Sequence, residues 1–230
     1  MKTKKISKKK KIGLLLISLG VISVLASGWL WLRNSMEENE AASVSENIAQ
    51  ELLEIIEVSN NIQEGGSSAS GGVENPSGLP DEEILGDDLA EGLRYVMVNG
   101  TAYIGVLSMP ELGLDLPVNS AWSYPALRHT PCRFSGTIEG NDLVLMAHSY
   151  RSHFGGISDL PMGSLIILTD VEGVQHIYEV VHREIVDPSR TYFVMHSGYD
   201  LTLFTCTYTG QARVVVRAMR LDDNVELVYE

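Results

Sequence analysis

Residues 12–32 form an uninterrupted stretch of 21 residues that contains no charged side chain. A helix of this length spans about 30 Å, the thickness of the hydrocarbon core of a bilayer. All seven lysines lie before it, within residues 1–11, and Trp29 and Trp31 lie near its far end, where indole rings favour the membrane interface. We therefore predict a transmembrane helix over residues 12–32, with residues 1–11 as a cytoplasmic basic tail and the chain after Arg33 outside the cell.

A cleaved signal peptide is the alternative interpretation of the same stretch. The segment Val24-Leu25-Ala26, which ends in a small residue, resembles the cleavage sites of such peptides. The apolar run continues past this point to Leu32, which is longer than an ordinary signal sequence requires. We favour the uncleaved anchor. Both interpretations predict that the remainder of the chain is exported from the cell.

The part of the chain after the apolar stretch is strongly acidic. Residues 33–230 contain 10 arginines and 30 acidic residues, which gives a net charge of −20. A nucleic-acid-binding surface needs clustered lysine and arginine to neutralise phosphates, so this composition argues against a nucleic-acid partner.

Residues 33–92 have the composition of a stalk and a linker. Apolar side chains recur at helical spacing from Val44 to Ile56, which predicts a short amphipathic helix, with a coiled coil as the alternative. Residues 59–80 are rich in glycine, serine, asparagine and proline, which is typical of a flexible spacer. An acidic stretch follows over residues 81–91.

Residues 93–230 form the predicted folded domain, and their pattern is that of a mainly β protein. Short apolar runs alternate with turns that contain glycine, proline, asparagine or aspartate, and one short helix is expected near residues 153–160. Seven or eight strands in one domain indicate a closed barrel or a sandwich. The runs that carry this prediction are Tyr95–Val98, Ala102–Ser108, Leu143–Ala147, Leu165–Thr169, Ile177–Arg183, Leu201–Thr205 and Arg213–Leu221.

Cys206 lies at the end of one of these strands, and its surroundings are those of a nucleophile. If residues 201–206 and 213–217 form an antiparallel hairpin around the loop between them, Cys206 faces Arg213. The same register places Arg217 on that face about 13 Å further along, where we expect it to be a surface partner for an acidic side chain. A neighbouring cation favours the thiolate form of a cysteine, and an arginine can donate hydrogen bonds to a developing oxyanion.

A catalytic cysteine also needs a group that accepts and donates a proton, and His148 is the best candidate. It follows the apolar run Leu143–Ala147, so a strand end would present it to solvent. His153, in the polar loop that follows, is the main competitor, and His176 and His182 are expected at the surface. Spacing alone places no histidine beside Cys206, because such pairs form in space and not in sequence.

The T-L-x-T-C signature of sortases, the cell-wall transpeptidases of Gram-positive bacteria, resembles Thr202-Leu203-Phe204-Thr205-Cys206. Further segments between residues 95 and 221 resemble the opening strands of that family, the strand that ends in its catalytic histidine, the helix and strand after it, and the final strand that begins with its catalytic arginine. In this order the segments are Tyr103–Pro110 with Leu116–Val118, Asn141–His148, His153–Asp170 and Arg213–Arg217.

The resemblance implies a single closed sortase-like β-barrel with one or two short helices, and His148, Cys206 and Arg213 as catalytic residues. It also implies cleavage of an LPXTG-like sorting signal through a thioester, and transfer of the surface protein to an amine acceptor such as a peptidoglycan precursor. No cofactor is expected. Calcium activation, known for some class A members, is the alternative, and the few acidic residues in the corresponding segment, Asp187 and Asp200, do not support it. No second apolar run follows Leu221, so we expect a class A- or D-like enzyme and not a pilus-type one.

Two alternatives remain for the cysteines. A Cys132–Cys206 disulfide, favoured by an oxidising compartment, would make the domain a non-catalytic extracellular binding or adhesion module. A different class of cysteine cell-wall hydrolase fits less well, because its cysteine opens a helix, whereas Cys206 follows a strand. If Cys132 is unpaired, we expect it to be a small buried residue.

Overall fold

A computed structural model of the chain describes residues 8–64 and 93–221. A long helix, α1, comes first, nine strands follow, and two short helices interrupt them. The helices are α1 (Lys8–Glu64), α2 (Tyr124–Leu127) and α3 (Thr191–Met195). The strands are β1 (Val96–Val98), β2 (Thr101–Met109), β3 (Leu114–Asn119), β4 (Cys132–Ser135), β5 (Leu143–Met146), β6 (Leu165–Asp170), β7 (Gln175–Val186), β8 (Leu201–Cys206) and β9 (Arg213–Arg220).

The strands form one closed barrel. Their order is β1-β2-β3-β4-β5-β8-β9-β7-β6, and β6 pairs back onto β2. Eight strands, β2 to β9, therefore close on themselves, and β1 extends the sheet beside the first part of β2. The predicted mainly β barrel is confirmed. The pairing of β6 with β2 shows a closed barrel and not a sandwich, the other fold that the strand pattern allowed.

Two predicted details differ from the structure. Strands β3 and β4 are not among the predicted apolar runs. Asp115 and Pro117 interrupt the apolar pattern of β3, and β4 contains Arg133, which is buried and donates from Nε to the carbonyl of Ser120 at 2.6 Å. The helix expected near residues 153–160 is only a single 3₁₀ turn, Ile157–Asp159.

The closing seam between β2 and β6 depends on a glycine. Gly105 pairs with Asp170 and has a φ of +152°, a backbone conformation that residues with a side chain rarely adopt. A Cβ atom at this position would lie 2.2 Å from the carbonyl oxygen of Thr169. Only glycine lets the two backbones approach this closely.

The barrel strands bury side chains on both faces, which explains why several predicted runs are continuously apolar. Alternate residues such as Leu145, Leu203 and Val216 fill the barrel interior. Their neighbours form a second cluster on the outer face of β5, β8, β9 and β7, and Val194 of α3 covers it. The buried members of this outer cluster are Val144, Val186, Val194, Phe204 and Val215.

The described residues divide into two compact units between Glu40 and Ala41. In the first, the apolar side chains of α1, from Leu16 to Leu32, are exposed. By length and composition, this helix is a candidate for crossing a membrane. The prediction of an apolar N-terminal helix is confirmed.

In the second unit, the C-terminal part of α1 belongs to the domain. Ala49, Leu52 and Ile56 are buried in one cluster with Val98 and Tyr103 of the first two strands. The predicted amphipathic helix therefore exists, but its apolar face packs on the barrel of its own chain. The helix extends to Glu64, into the segment predicted to be a spacer, whereas the remaining spacer, the acidic stretch and the linker boundary at 92 lie outside the described residues.

Candidate active site

Cys206 and Arg213 are directly paired across strands β8 and β9. The register joins Cys206 to Arg213, Phe204 to Val215 and Thr202 to Arg217, which confirms the pairing predicted from the loop length. Opposed residues of an antiparallel pair share a face, with Cβ atoms about 4.5–5.5 Å apart. The Arg213 guanidinium also donates from Nη1 to the carbonyls of Gly210 and Ala212, at 3.3 and 3.1 Å, in the loop between the strands.

His148 lies at the end of the strand on the other side of Cys206. Strands β5 and β8 are parallel, and Met146 pairs with Phe204. Beyond this pair, Ala147 N donates to the Phe204 carbonyl at 3.3 Å, and Thr205 Oγ1 donates to the Ala147 carbonyl at 2.8 Å. His148 and Cys206 are the next residues, so they leave adjacent strand ends at the same edge, where neighbouring strands are about 5 Å apart.

The three predicted residues lie toward the outer face of the barrel. Ala147 belongs to the interior cluster, whereas Met146 and Phe204 pack in the outer one. Strand alternation therefore places His148 and Cys206 on the outer side, and Cys206 shares that side with its partner Arg213. All three side chains are half-buried. The fold thus brings a thiol, an imidazole and a guanidinium to the ends of three neighbouring strands.

The surroundings of His148 keep its imidazole neutral. Partial burial, followed by the positive charge of Arg128, lowers the pKa of His148 below its ordinary value. Its ring also packs against Tyr150, with the ring centroids 5.1 Å apart. A neutral imidazole at the end of β5 can accept a proton from a neighbouring thiol.

His153, the competing histidine, is enclosed behind Tyr150. It is completely buried, and its ring centroid lies 5.6 Å from that of Tyr150. Burial lowers the pKa of His153 to about 4, although the nearby backbone of His129 favours the charged form. Neither ring nitrogen makes a hydrogen bond of good geometry with a described residue. The burial of His153 could not be predicted from the sequence, because the loop that contains it is polar.

Two other expectations about polar residues need correction. His176, expected at the surface, is buried between Asp170 and Arg220, with contacts of 2.6 and 2.7 Å. Arg217, which the sequence left as a surface partner for an acidic side chain, does pair with Glu184 but is only 5% exposed. His176 pairs with Leu168 and so lies on the interior face of β7, whereas Arg217 lies on the outer face of β9 under the segment that joins β7 to β8.

The two cysteines are free thiols in different environments. Cys132 is buried as predicted, its Sγ donates to the carbonyl of Thr130 at 3.5 Å, and burial raises its pKa to about 12. Cys206 is half-buried at the end of β8. The structure forms no bridge between them, so the disulfide on which the binding-module alternative depends is absent.

Asp187 and Asp200, the acidic residues considered for a calcium site, accept hydrogen bonds from other groups of the chain. Asp187 accepts hydrogen bonds from Ser189, and Asp200 accepts one from the backbone N–H of Arg220 at 2.7 Å. Within residues 8–64 and 93–221, no group of three or more histidine, cysteine or carboxylate side chains is arranged to hold a metal ion.

The sequence matches the Sortase domain family over residues 107–221, half of the chain. Solved structures with a similar fold include the Clostridium perfringens sortase D5 transpeptidase (21% identity, 52% of this chain, 79% of that chain, TM-score 0.46). Others are Streptococcus suis sortase C1 (23%, 55%, 76%, 0.47) and Streptococcus agalactiae sortase C1 (24%, 56%, 72%, 0.48). No curated protein sequence matches the chain significantly.

The solved structures named above are of class C and class D, whereas the sequence led us to expect an A- or D-like enzyme. Similarity at this level assigns no class, which stays a prediction. The family match itself covers strands β3 to β9 and contains His148, Cys206 and Arg213. On the extent of that match, the chain belongs to the sortase family.

Proposed function

We propose that this chain is a membrane-anchored cysteine transpeptidase that cleaves an LPXTG-like sorting signal and transfers the cleaved protein to an amine of the cell wall. One observation carries the proposal: Cys206, Arg213 and His148 occupy the ends of three neighbouring strands near the same outer face. Membership of the sortase family supports the same chemistry.

The first half-reaction breaks the peptide bond after the threonine of the signal. The neutral imidazole of His148 takes the proton of the Cys206 thiol, and the thiolate attacks the threonine carbonyl to form a new C–S bond. The Arg213 guanidinium lies beside the attacked carbon and stabilises the oxyanion. Protonated His148 then gives its proton to the leaving amine, the C–N bond breaks, and a thioester remains.

The second half-reaction reverses these steps with a different amine. The acceptor amine attacks the thioester, His148 removes its extra proton, and a new C–N bond replaces the C–S bond. The proton returns to the sulfur of Cys206, so the enzyme is regenerated. No oxidant, metal or cofactor takes part in this sequence, and we propose that the enzyme needs none.

The location follows from the N-terminal helix. We propose that residues 12–32 cross the cell membrane once, with the lysine-rich tail in the cytoplasm and the barrel outside. Its partners would then be exported proteins that carry a sorting signal, the amine acceptor, and the membrane. Protease treatment of intact cells tests this orientation: it should digest the barrel and spare an N-terminal tag.

The activity is tested with the full chain in detergent micelles and a panel of fluorogenic LPXTG-like peptides, with an oligoglycine amine as acceptor. We expect cleavage and an acyl-transfer product with the unmodified chain, and neither with Cys206→Ala. Arg213→Ala and His148→Ala should lower kcat/KM by at least about 100-fold.

Cys132→Ala is the matched control, because this thiol is completely buried and cannot reach a substrate, so its loss should leave activity intact. Activity that survives in Cys206→Ala, or that is lost only in Cys132→Ala, would contradict the proposal. Activity that requires added calcium would contradict the absence of a cofactor.

A further inference from the structure

A cavity of about 300 Å³ lies between β7, β9 and the segment that joins β7 to β8. This volume is at the lower end of the range for ligand pockets, which suits one or two side chains of a peptide. Polar and aromatic residues dominate its lining, among them His182, Glu184, Arg190, Phe193, Tyr199 and Arg217. None of these residues takes part in the reaction described above.

Arg217 is the most unusual residue of this lining. It donates to Glu184 Oε1 from Nε and Nη2, at 3.0 and 2.7 Å, and its guanidinium carbon lies 5.2 Å from the ring centroid of Tyr199. Its Nη1 is enclosed and has no hydrogen-bond partner among the described residues. Since a buried donor without an acceptor is costly, an acceptor supplied from outside the chain would stabilise this arrangement.

The charges of the cavity determine which acceptor fits best. Two guanidiniums, those of Arg190 and Arg217, face a single carboxylate, that of Glu184, so the lining has an excess of positive charge. The rest of the chain outside the N-terminal tail is strongly acidic, with a net charge of −20 over residues 33–230. A carboxylate from a ligand would complete the pairing of Arg217, because arginine binds carboxylates in a forked geometry.

The strand register relates this cavity to the reacting thiol. Val186, at one end of the cavity, pairs with Arg213, and Arg217 lies four residues further along β9. That separation is about 13 Å along the strand, which an extended peptide covers in about four residues. His148 lies on the opposite side of Cys206, so the leaving amine points away from the cavity and the acyl part of the substrate points toward it.

We infer that the Arg217 cavity binds an acidic side chain of the sorting signal, on the fourth residue before the threonine of the cleaved bond. In an LPXTG-like signal this is the residue that immediately precedes the leucine. Arg217 thereby becomes a specificity-determining residue. The inference rests on the proposed transpeptidase activity, because the direction of the peptide follows from the role of His148.

The test is a set of fluorogenic peptides that carry a single glutamate at each position from two to six residues before the threonine, with glutamine as the matched neutral residue. With the full chain, kcat/KM should be at least about 10-fold higher for glutamate than for glutamine at the fourth position, and equal elsewhere. Binding of the same peptides to Cys206→Ala, followed by fluorescence polarisation, should show the same preference without turnover.

Two variants assign the preference to the cavity. Arg217→Met should remove the preference, so that kcat/KM becomes equal for the glutamate and glutamine peptides. Glu184→Gln leaves Arg217 in place but removes its internal carboxylate, and should strengthen binding of the glutamate peptide, so it tests the inference even if Arg217→Met does not fold.

The results distinguish failure of the Arg217 inference from failure of the proposed transpeptidase activity. Equal rates for glutamate and glutamine at every position, in a chain that cleaves both, would overturn the inference and leave the transpeptidase proposal standing. Cleavage of no peptide by a folded chain, together with no binding to Cys206→Ala, would overturn both.

Discussion

The hydroxyl of Thr205 donates a 2.8 Å hydrogen bond to the backbone carbonyl of Ala147. Each of these residues immediately precedes a member of the proposed catalytic pair, Cys206 or His148. The threonine of the sequence signature therefore has a structural role: it fixes the relative position of two strand ends that are far apart in the chain.

Thr205→Val should weaken both stability and activity. It leaves the Ala147 carbonyl without its side-chain donor in a buried position, which costs about 1–3 kcal/mol, and a displaced His148 lowers kcat by about 10- to 100-fold. Thr205→Ser should restore both. Thr202→Val is the control, since Thr202 is equally buried in β8 but bonds Ser197, away from the strand ends; an equal loss of kcat there would refute this role.

The pKa of His148 should respond to the charge at position 128. Burial and the positive charge of Arg128 both lower this pKa, so Arg128→Gln removes one cause and the pKa rises. The limb of the pH–rate profile on which activity rises as His148 loses its proton then moves to higher pH. NMR titration of the imidazole measures the shift directly, and Arg94→Gln, an exposed arginine paired with Glu172, should leave it unchanged.

His153 should make the domain sensitive to acid. Its pKa in the folded chain is about 4, so below about pH 6.5 the unfolded chain binds a proton that the folded chain does not. Stability is therefore complete above pH 6.5 and is lost progressively as the pH falls toward 4, by a total of about 3 kcal/mol.

A variant isolates this contribution from the other titrating groups. His153→Phe keeps a ring of similar size in the buried site and cannot be protonated, so its melting temperature should fall less than that of the unmodified chain between pH 7 and pH 4.5. Parallel pH dependence in the two proteins would show that His153 is not the acid-sensitive group.

The two thiols should differ in reactivity. In the folded chain, iodoacetamide should modify Cys206 and spare Cys132, which is fully buried and has a pKa raised to about 12. Both should react after unfolding, and mass spectrometry without reductant should find two free thiols. A quantitative Cys132–Cys206 bridge would restore the binding-module alternative.

Leu52 of α1 should contribute to the stability of the barrel. It is completely buried against residues of β1 and β2, so Leu52→Ala should destabilise the domain by about 2–5 kcal/mol. Leu53, the next residue, is 39% exposed, and Leu53→Ala should change stability by less than about 0.5 kcal/mol. Thermal melting of the full chain in detergent compares them; equal losses would show that this part of α1 does not pack as described.

Local features of the sequence were sufficient for part of the site. The pairing of Cys206 with Arg213 follows from the length of one loop between two clear strands, because a hairpin fixes its own register. Most barrel strands were predictable for the same reason, since each has its own apolar run and turn, whereas β3 and β4 have no such run.

Long-range features were not accessible in this way. The parallel pairing of β5 with β8 joins segments on either side of three other elements, so only the resemblance to a family placed His148 beside Cys206. The burial of Arg217 depends on which loops cover the outer face, and that of His176 on its place at the interior face of β7 between Asp170 and Arg220. The packing of α1 on β1 and β2 was missed because its apolar spacing fits any apolar partner equally well.

The pairing of β6 with β2 has a consequence for how the protein behaves among its own copies. An open sheet presents rows of unsatisfied amide and carbonyl groups that recruit strands from neighbouring molecules. Here the backbone groups of β2 and β6 pair with each other. Among the described strands, only β1, which is three residues long, lies at an edge of the sheet. Such a molecule tolerates crowding at high local density without cross-β association.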